Sequence, residues 1–181
     1  MLRGKRPWGP LIFNFKGPNI FFGMVAGALV VICVTHYSLQ MINPKGYSGT
    51  PLAKKLGIKA GFVVRLVNPP TNYWDLFSDF PSRVEIRKDR RTTKDLVHYF
   101  ALDSATLLGD LSGLREEIFP AGILWVSWPK KSSKVATDLT EDIIRKFAIS
   151  AGLVDIKVCA VNEIWSGLKL VVPVKQRGIL A

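Results

Sequence analysis

The chain has 181 residues, with 25 Lys and Arg against 14 Asp and Glu, a formal charge of +11, two cysteines and two histidines. This supply excludes a disulfide framework and a cysteine-rich metal site, and the length suffices for one α/β domain beside a separate N-terminal segment. The basic balance suits anionic lipid, acidic partners or nucleic acid without choosing among them.

Residues 1–18 carry Arg3, Lys5, Arg6 and Lys16 with no acid, interleaved with Trp8, Phe13 and Phe15. This is the pattern of a basic aromatic tail lying on a headgroup zone or on a neighbouring protein. From Gly17 to Pro44 there is no Asp, Glu, Lys or Arg, and Ile20 to Ile42 is almost wholly apolar. At about 1.5 Å of rise per residue that run covers roughly 35 Å, which predicts a single uncleaved transmembrane helix over 19–43. The exit through His36 to Met41 lacks the small residues of a signal-peptide cleavage site.

Within the span, Gly23 and Gly27 form a G-x-x-x-G pair. Such a pair is either a packing face for a second helix or the ordinary glycine content of membrane helices. His36 reads as an interface histidine; contact with a haem or pigment is the other reading and the only cofactor the sequence suggests. Cys33 in the span and Cys159 beyond it cannot pair, and a free thiol tilts the soluble part toward the cytoplasm. The expected location is therefore a membrane crossed once, with the soluble part on its cytoplasmic side. Charge does not orient the span, because Lys45, Lys54, Lys55 and Lys59 follow it and match the basic residues before it.

A linker over 44–60 contains a short helix, Pro51 to Gly57, and leads into a first strand, Phe62 to Val67. Asn68-Pro69-Pro70 breaks that strand, and Tyr73 to Phe80 has aromatic residues at helical spacing. Arg83 to Arg87 reads as a second strand, followed by a charged turn through Lys94, and Leu96 to Ala101 as a third. Ser104 to Ile118 is helical with a stripe of Leu107, Leu108, Leu111 and Leu114, and Ile123 to Trp128 is a buried strand. Asp138 and Glu141 have capping-box spacing at the head of a helix that Gly152 stops. Val154 to Val161 and Leu168 to Val172 read as a hairpin joined around Trp165-Ser166-Gly167. The expectation is a mixed sheet covered by helices over 61–175, with a tail at 176–181.

This succession, with Gly61 opening the first strand, Pro120-Ala121-Gly122 opening the fourth and a closing hairpin, resembles a shortened class I methyltransferase, Rossmann-like fold over roughly residues 50 to 173. Four segments, Gly46 to Lys59, Trp128 to Asp142, Gly152 to Ala160 and Ser166 to Lys169, resemble the small bacterial domain-of-unknown-function family 3052. That resemblance implies a fold and a soluble bacterial origin, from which the N-terminal span departs. Class I enzymes place glycines after the first strand and an acid after the second, to approach the methyl donor and bind its ribose hydroxyls. Here the first turn carries Pro69 and Pro70, and Arg87 and Lys88 follow the second strand, with only Asp89 as an acid. On that ground methyl-donor binding is expected to be absent.

Lys130, Lys131, Ser132, Ser133 and Lys134 leave a central strand and precede a capped helix, a place where α/β sheets bind ligands. The loop is a candidate for a phosphate or carboxylate, with a solvated basic loop as the alternative. Arg83, Arg87, Lys88, Arg90, Arg91 and Lys94 form a second basic run, a surface for anionic lipid or a partner, or else a solvated turn. It has no interleaved aromatics, so nucleic acid is not expected. His98 lies in an apolar strand and reads as a core or interface residue rather than a general base, so no catalytic residue and no metal ligand are assigned.

The functional expectation is a non-enzymatic accessory subunit of an integral membrane complex, respiratory or photosynthetic in type. The alternative is a membrane-tethered enzyme or small-anion or nucleotide binder using the Lys130 to Lys134 loop and the cleft beside Asn68 to Tyr73.

Overall fold

The computed structural model describes residues 23–25, 28–30 and 49–178. The chain divides into two compact units, 1–42 and 43–181. In the first, β1 (Gly23–Val25) and β2 (Ala28–Val30) pair antiparallel, with Gly23 opposite Val30. The rest of the expected span, with Gly27, Cys33 and His36, lies outside the described residues, as does the basic tail. Among the described residues no helix is long and apolar enough to cross a membrane.

The second unit runs α1 (Leu52–Leu56), β3 (Val63–Val67), a 3₁₀ turn at Trp74–Leu76, β4 (Glu85–Ile86), β5 (Lys94–Phe100), α2 (Ser104–Glu116) and β6 (Ile118–Pro129). A second 3₁₀ turn at Lys131–Ser133, α3 (Glu141–Ser150), β7 (Val154–Ala160), β8 (Trp165–Val171) and α4 (Val174–Arg177) follow. Six strands form one sheet in the order β4-β3-β5-β6-β8-β7. The first four in that order are parallel, and β8 runs antiparallel between β6 and β7.

The central strands β5 and β6 are buried on both faces, which is why they read as near-continuous apolar runs. On one face Val97, Leu124, Val126, Leu168 and Leu170 meet Leu107, Leu111 and Leu114 of α2 and Ile144 and Ala148 of α3. On the other, Val64, Leu96 and Trp125 meet Leu52 and Leu56 of α1. Trp125 Nε1 also donates to the Leu56 carbonyl at 2.8 Å, which ties α1 to the sheet.

Several local expectations shift. The aromatic stretch 73–80 makes only the short 3₁₀ turn, because Tyr73, Trp74, Phe77 and Phe80 pack edge-to-face on one another. β6 starts at Ile118 and absorbs Pro120 and Gly122 through a register shift against β5 between Lys94 and Leu96. Thr140, not Asp138, caps α3 by accepting from the Ile143 amide, while Asp138 accepts from the Ser104 amide at the head of α2. The closing turn lies before Trp165, where Asn162 Oδ1 accepts from the amides of Ile164 at 2.9 Å and Trp165 at 2.7 Å. Trp165-Ser166-Gly167 therefore opens β8.

Candidate functional site

Between β3 and β5 the chain reverses direction of travel across the sheet, going out to β4 and returning on the other side of β3. Such a switch point opens a crevice at the carboxyl ends of the two strands. A cavity of ≈ 440 Å³ lies there. Asn68 and Pro70 after β3 and Tyr99 and Phe100 at the end of β5 form two of its sides; Leu102, Asp103, Thr106, Val135 and Trp165 complete it.

Each wall follows from local sequence. Asn68 has φ 52°, a left-handed conformation that asparagine tolerates, so the chain turns out of β3 without glycine. Asp103 caps α2, and its Oδ1 accepts the Thr106 amide at 2.8 Å. That hydrogen bond holds the Asp103 carboxyl below the usual carboxylate range, so it is ionised at neutral pH. Phe100 and Trp165 meet edge-to-face with centroids 5.0 Å apart. Tyr99 donates to Asp110 Oδ2 at 2.9 Å, and burial followed by that bond pushes its phenol up, keeping it a neutral donor.

Behind Phe100 lies a buried polar chain. Phe100 stacks on His98 with centroids 4.4 Å apart. His98 Nδ1 is 3.1 Å from the Tyr73 hydroxyl and its Nε2 is 2.8 Å from Ser127 Oγ. Burial pushes His98 down to about 3, so the imidazole is neutral, and a neutral ring can accept at one nitrogen while donating at the other. Tyr73, His98 and Ser127 are all buried, and the chain braces the wall that Phe100 forms.

The two basic runs separate in space. Lys130 Nζ donates to the Asn162 carbonyl at 2.7 Å, and Ser133 Oγ donates to the Lys130 carbonyl at 2.7 Å. The turn ends at Lys134, six residues before Thr140, the cap of α3. Lys131, Ser132 and Lys134 remain exposed. In the second run Lys94 is fully buried, its Nζ donating to the carbonyls of Asp89 and Thr92. Arg87 pairs with Glu85 at 2.5 Å and Arg90 lies 3.8 Å from Glu117; Arg83, Lys88 and Arg91 are exposed. Of this run Lys94 therefore turns inward, while the other five basic residues stay at the surface. Asp103, Thr106 and Trp165 went unread as site residues; the only signal was an Asp placed to cap a helix directly after a central strand.

No known protein-family profile and no curated protein matches this chain. Solved structures do. A protein of Bordetella parapertussis described as a possible exported protein aligns over 67% of this chain and 66% of its own, at 13% identity and a TM-score of 0.52. A SAM-dependent methyltransferase from Aquifex aeolicus aligns over 66% and 86% at 15% identity and 0.48. The magnesium protoporphyrin IX methyltransferase of Synechocystis with bound SAM aligns over 67% and 74% at 11% identity and 0.47. The domain has a mixed α/β, Rossmann-like fold with a six-stranded sheet.

The expectation of a non-enzymatic membrane accessory subunit is corrected by these findings. A Rossmann-like sheet with a ligand-sized cleft at its switch point is the architecture of a small-molecule site, and the expected span lies mostly outside the described residues.

Proposed function

We propose that the methyltransferase-like domain binds S-adenosylmethionine between the carboxyl ends of β3 and β5 and transfers its methyl group to a small acceptor. The observation that carries this reading is a cavity at the switch point whose lining combines aromatic walls with the ionised Asp103. Its ≈ 440 Å³ falls within the range of small-molecule sites.

The lining fits the cofactor's chemistry at three places. Asp103 would hold its ammonium group, the aromatic faces of Phe100 and Trp165 suit a sulfonium or an adenine ring, and the Asn68 side-chain amide would stand in for the amide donors that Pro69 and Pro70 lack. Arg87 and Lys88 depart from the pattern directly after β4, which leaves Asp89 as the one acid near that strand end for ribose hydroxyls. When bound, the cofactor supplies an electrophilic methyl group on sulfur. The chain's own contribution is to orient it against Asp103 and to exclude water with Phe100, Leu102 and Trp165. The proposal includes membership in domain-of-unknown-function family 3052, supported by the four matching segments, and a domain spanning 61–175.

Calorimetry of the full chain with S-adenosylmethionine and S-adenosylhomocysteine tests this. Dissociation constants below about 100 µM, weakened at least tenfold by Trp165→Leu and by Asp103→Asn, are expected. The asparagine keeps the capping oxygen, so the second variant isolates the charge. Absence of binding of both compounds at about 1 mM overturns the reading.

A further inference from the structure

On the sheet face that carries Trp125, the outer hairpin is lined with lysines. Lys169 of β8 stands in register between Trp125 of β6 and Lys157 of β7. Lys157 reaches back across β8, its Nζ 6.0 Å from the Trp125 ring centroid. Gly57, the left-handed C-cap of α1, brings the backbone to Lys169, where a side chain's Cβ would lie 4.0 Å from Nζ. Lys59 follows two residues later and is exposed.

We infer that Lys59, Lys157 and Lys169 form a recognition site for a small phosphate-bearing ligand, built by three separate segments on the open face of the β7–β8 hairpin. Among the described residues no carboxylate forms an ion pair with any of the three. Like charges placed this close repel one another, and an anion carrying two or more negative charges turns that repulsion into attraction. Lys169 registers the crowding: burial, and then Lys157 and Lys59, hold its ammonium below the usual lysine range. The neighbouring Cys159 thiol, pushed up by burial, feels the opposing pull of Lys157, Lys55 and Lys130, which extends the positive field over that face. Flexible ammonium groups on two neighbouring strands and in the loop after α1 suit the several oxygens of a phosphate or diphosphate. A nucleic acid is disfavoured because Trp125 beneath the lysines is buried and offers no ring for stacking.

None of these residues lines the cleft at Asp103, so this site and the proposed methyl-donor site can fail independently. The test is calorimetric titration of the full chain with inorganic pyrophosphate at low and at moderate salt. Saturable binding that weakens as salt rises is expected. Lys157→Gln with Lys169→Gln should reduce affinity at least tenfold, Lys157→Arg with Lys169→Arg should retain most of it, and Lys175→Gln, on exposed α4, should leave it unchanged. Absence of saturable binding overturns the inference, as does equal affinity in the Gln double variant and the unaltered chain. Binding of a single-stranded oligonucleotide without binding of pyrophosphate overturns it in favour of a polyanion surface.

Discussion

His98 Nε2 and Ser127 Oγ lie 2.8 Å apart across the neighbouring strands β5 and β6, and neither side chain reaches solvent. With Tyr73 on the other ring nitrogen, the contact links the turn after β3 to the two central strands that end at the cleft. A buried polar group costs stability unless it is paired, so this chain is worth keeping only if all three members stay.

That arrangement makes stability depend on pH. His98 is held at about 3 in the folded chain, against 6.5 for an ordinary histidine. Between those values the unfolded chain binds the extra proton, so the contribution is complete above pH 6.5 and is lost as pH falls. Unfolding free energy should drop by about 2 kcal/mol between pH 7 and pH 5 through His98 alone. Urea titrations of the unaltered chain and of His98→Gln would show it: the variant, less stable at pH 7, should lack this part of the slope. Parallel slopes would remove His98 as the cause.

Glu117 supplies a second buried link. It pairs with Arg65 of β3, and the two side chains are 4% and 9% exposed. Glu117→Gln leaves the guanidinium without its counter-charge and should cost about 3–5 kcal/mol, whereas Arg65→Met with Glu117→Leu should recover most of the loss. Thermal melts of the two variants decide; equal destabilisation would mean that packing, not charge, is what the site requires.

Gly122→Ala should destabilise by about 1–3 kcal/mol. An added Cβ would lie 2.9 Å from the Phe119 carbonyl oxygen and 3.0 Å from that of Lys94, both backbone atoms that cannot swing aside. The strain falls where β6 shifts register against β5, so amide exchange should rise first around Ile118 to Ile123. An unchanged melting temperature would show that the strand relaxes freely there.

Trp125→Phe keeps most of the buried ring but removes the donor to the Leu56 carbonyl. The cost should be about 1–3 kcal/mol, borne mainly by α1, which also meets the sheet through Leu52 and Leu56. Hydrogen exchange restricted to Leu52 to Ile58 would confirm this; uniform loosening of the sheet would not.

The sequence by itself determined the run of elements in the second unit. Val97, Leu124 and Val126 announced strands buried on both faces, and the leucines of α2 marked its inward stripe, because burial imposes a period that local residues must obey. The cap at Asp103 and the turn at Asn162 came only with the structure, since many Asp and Asn residues could play either part. What only the tertiary structure decided is which residues from distant segments meet. Lys94 reads as one more charge in a basic run and is interior, because its ammonium finds two carbonyls in the turn it closes. The cleft joins Asn68, Asp103 and Trp165, and the cationic face joins Lys59, Lys157 and Lys169. Neither set has a spacing along the chain, since each is fixed by strand order and register, and these are settled by the packing of the whole sheet.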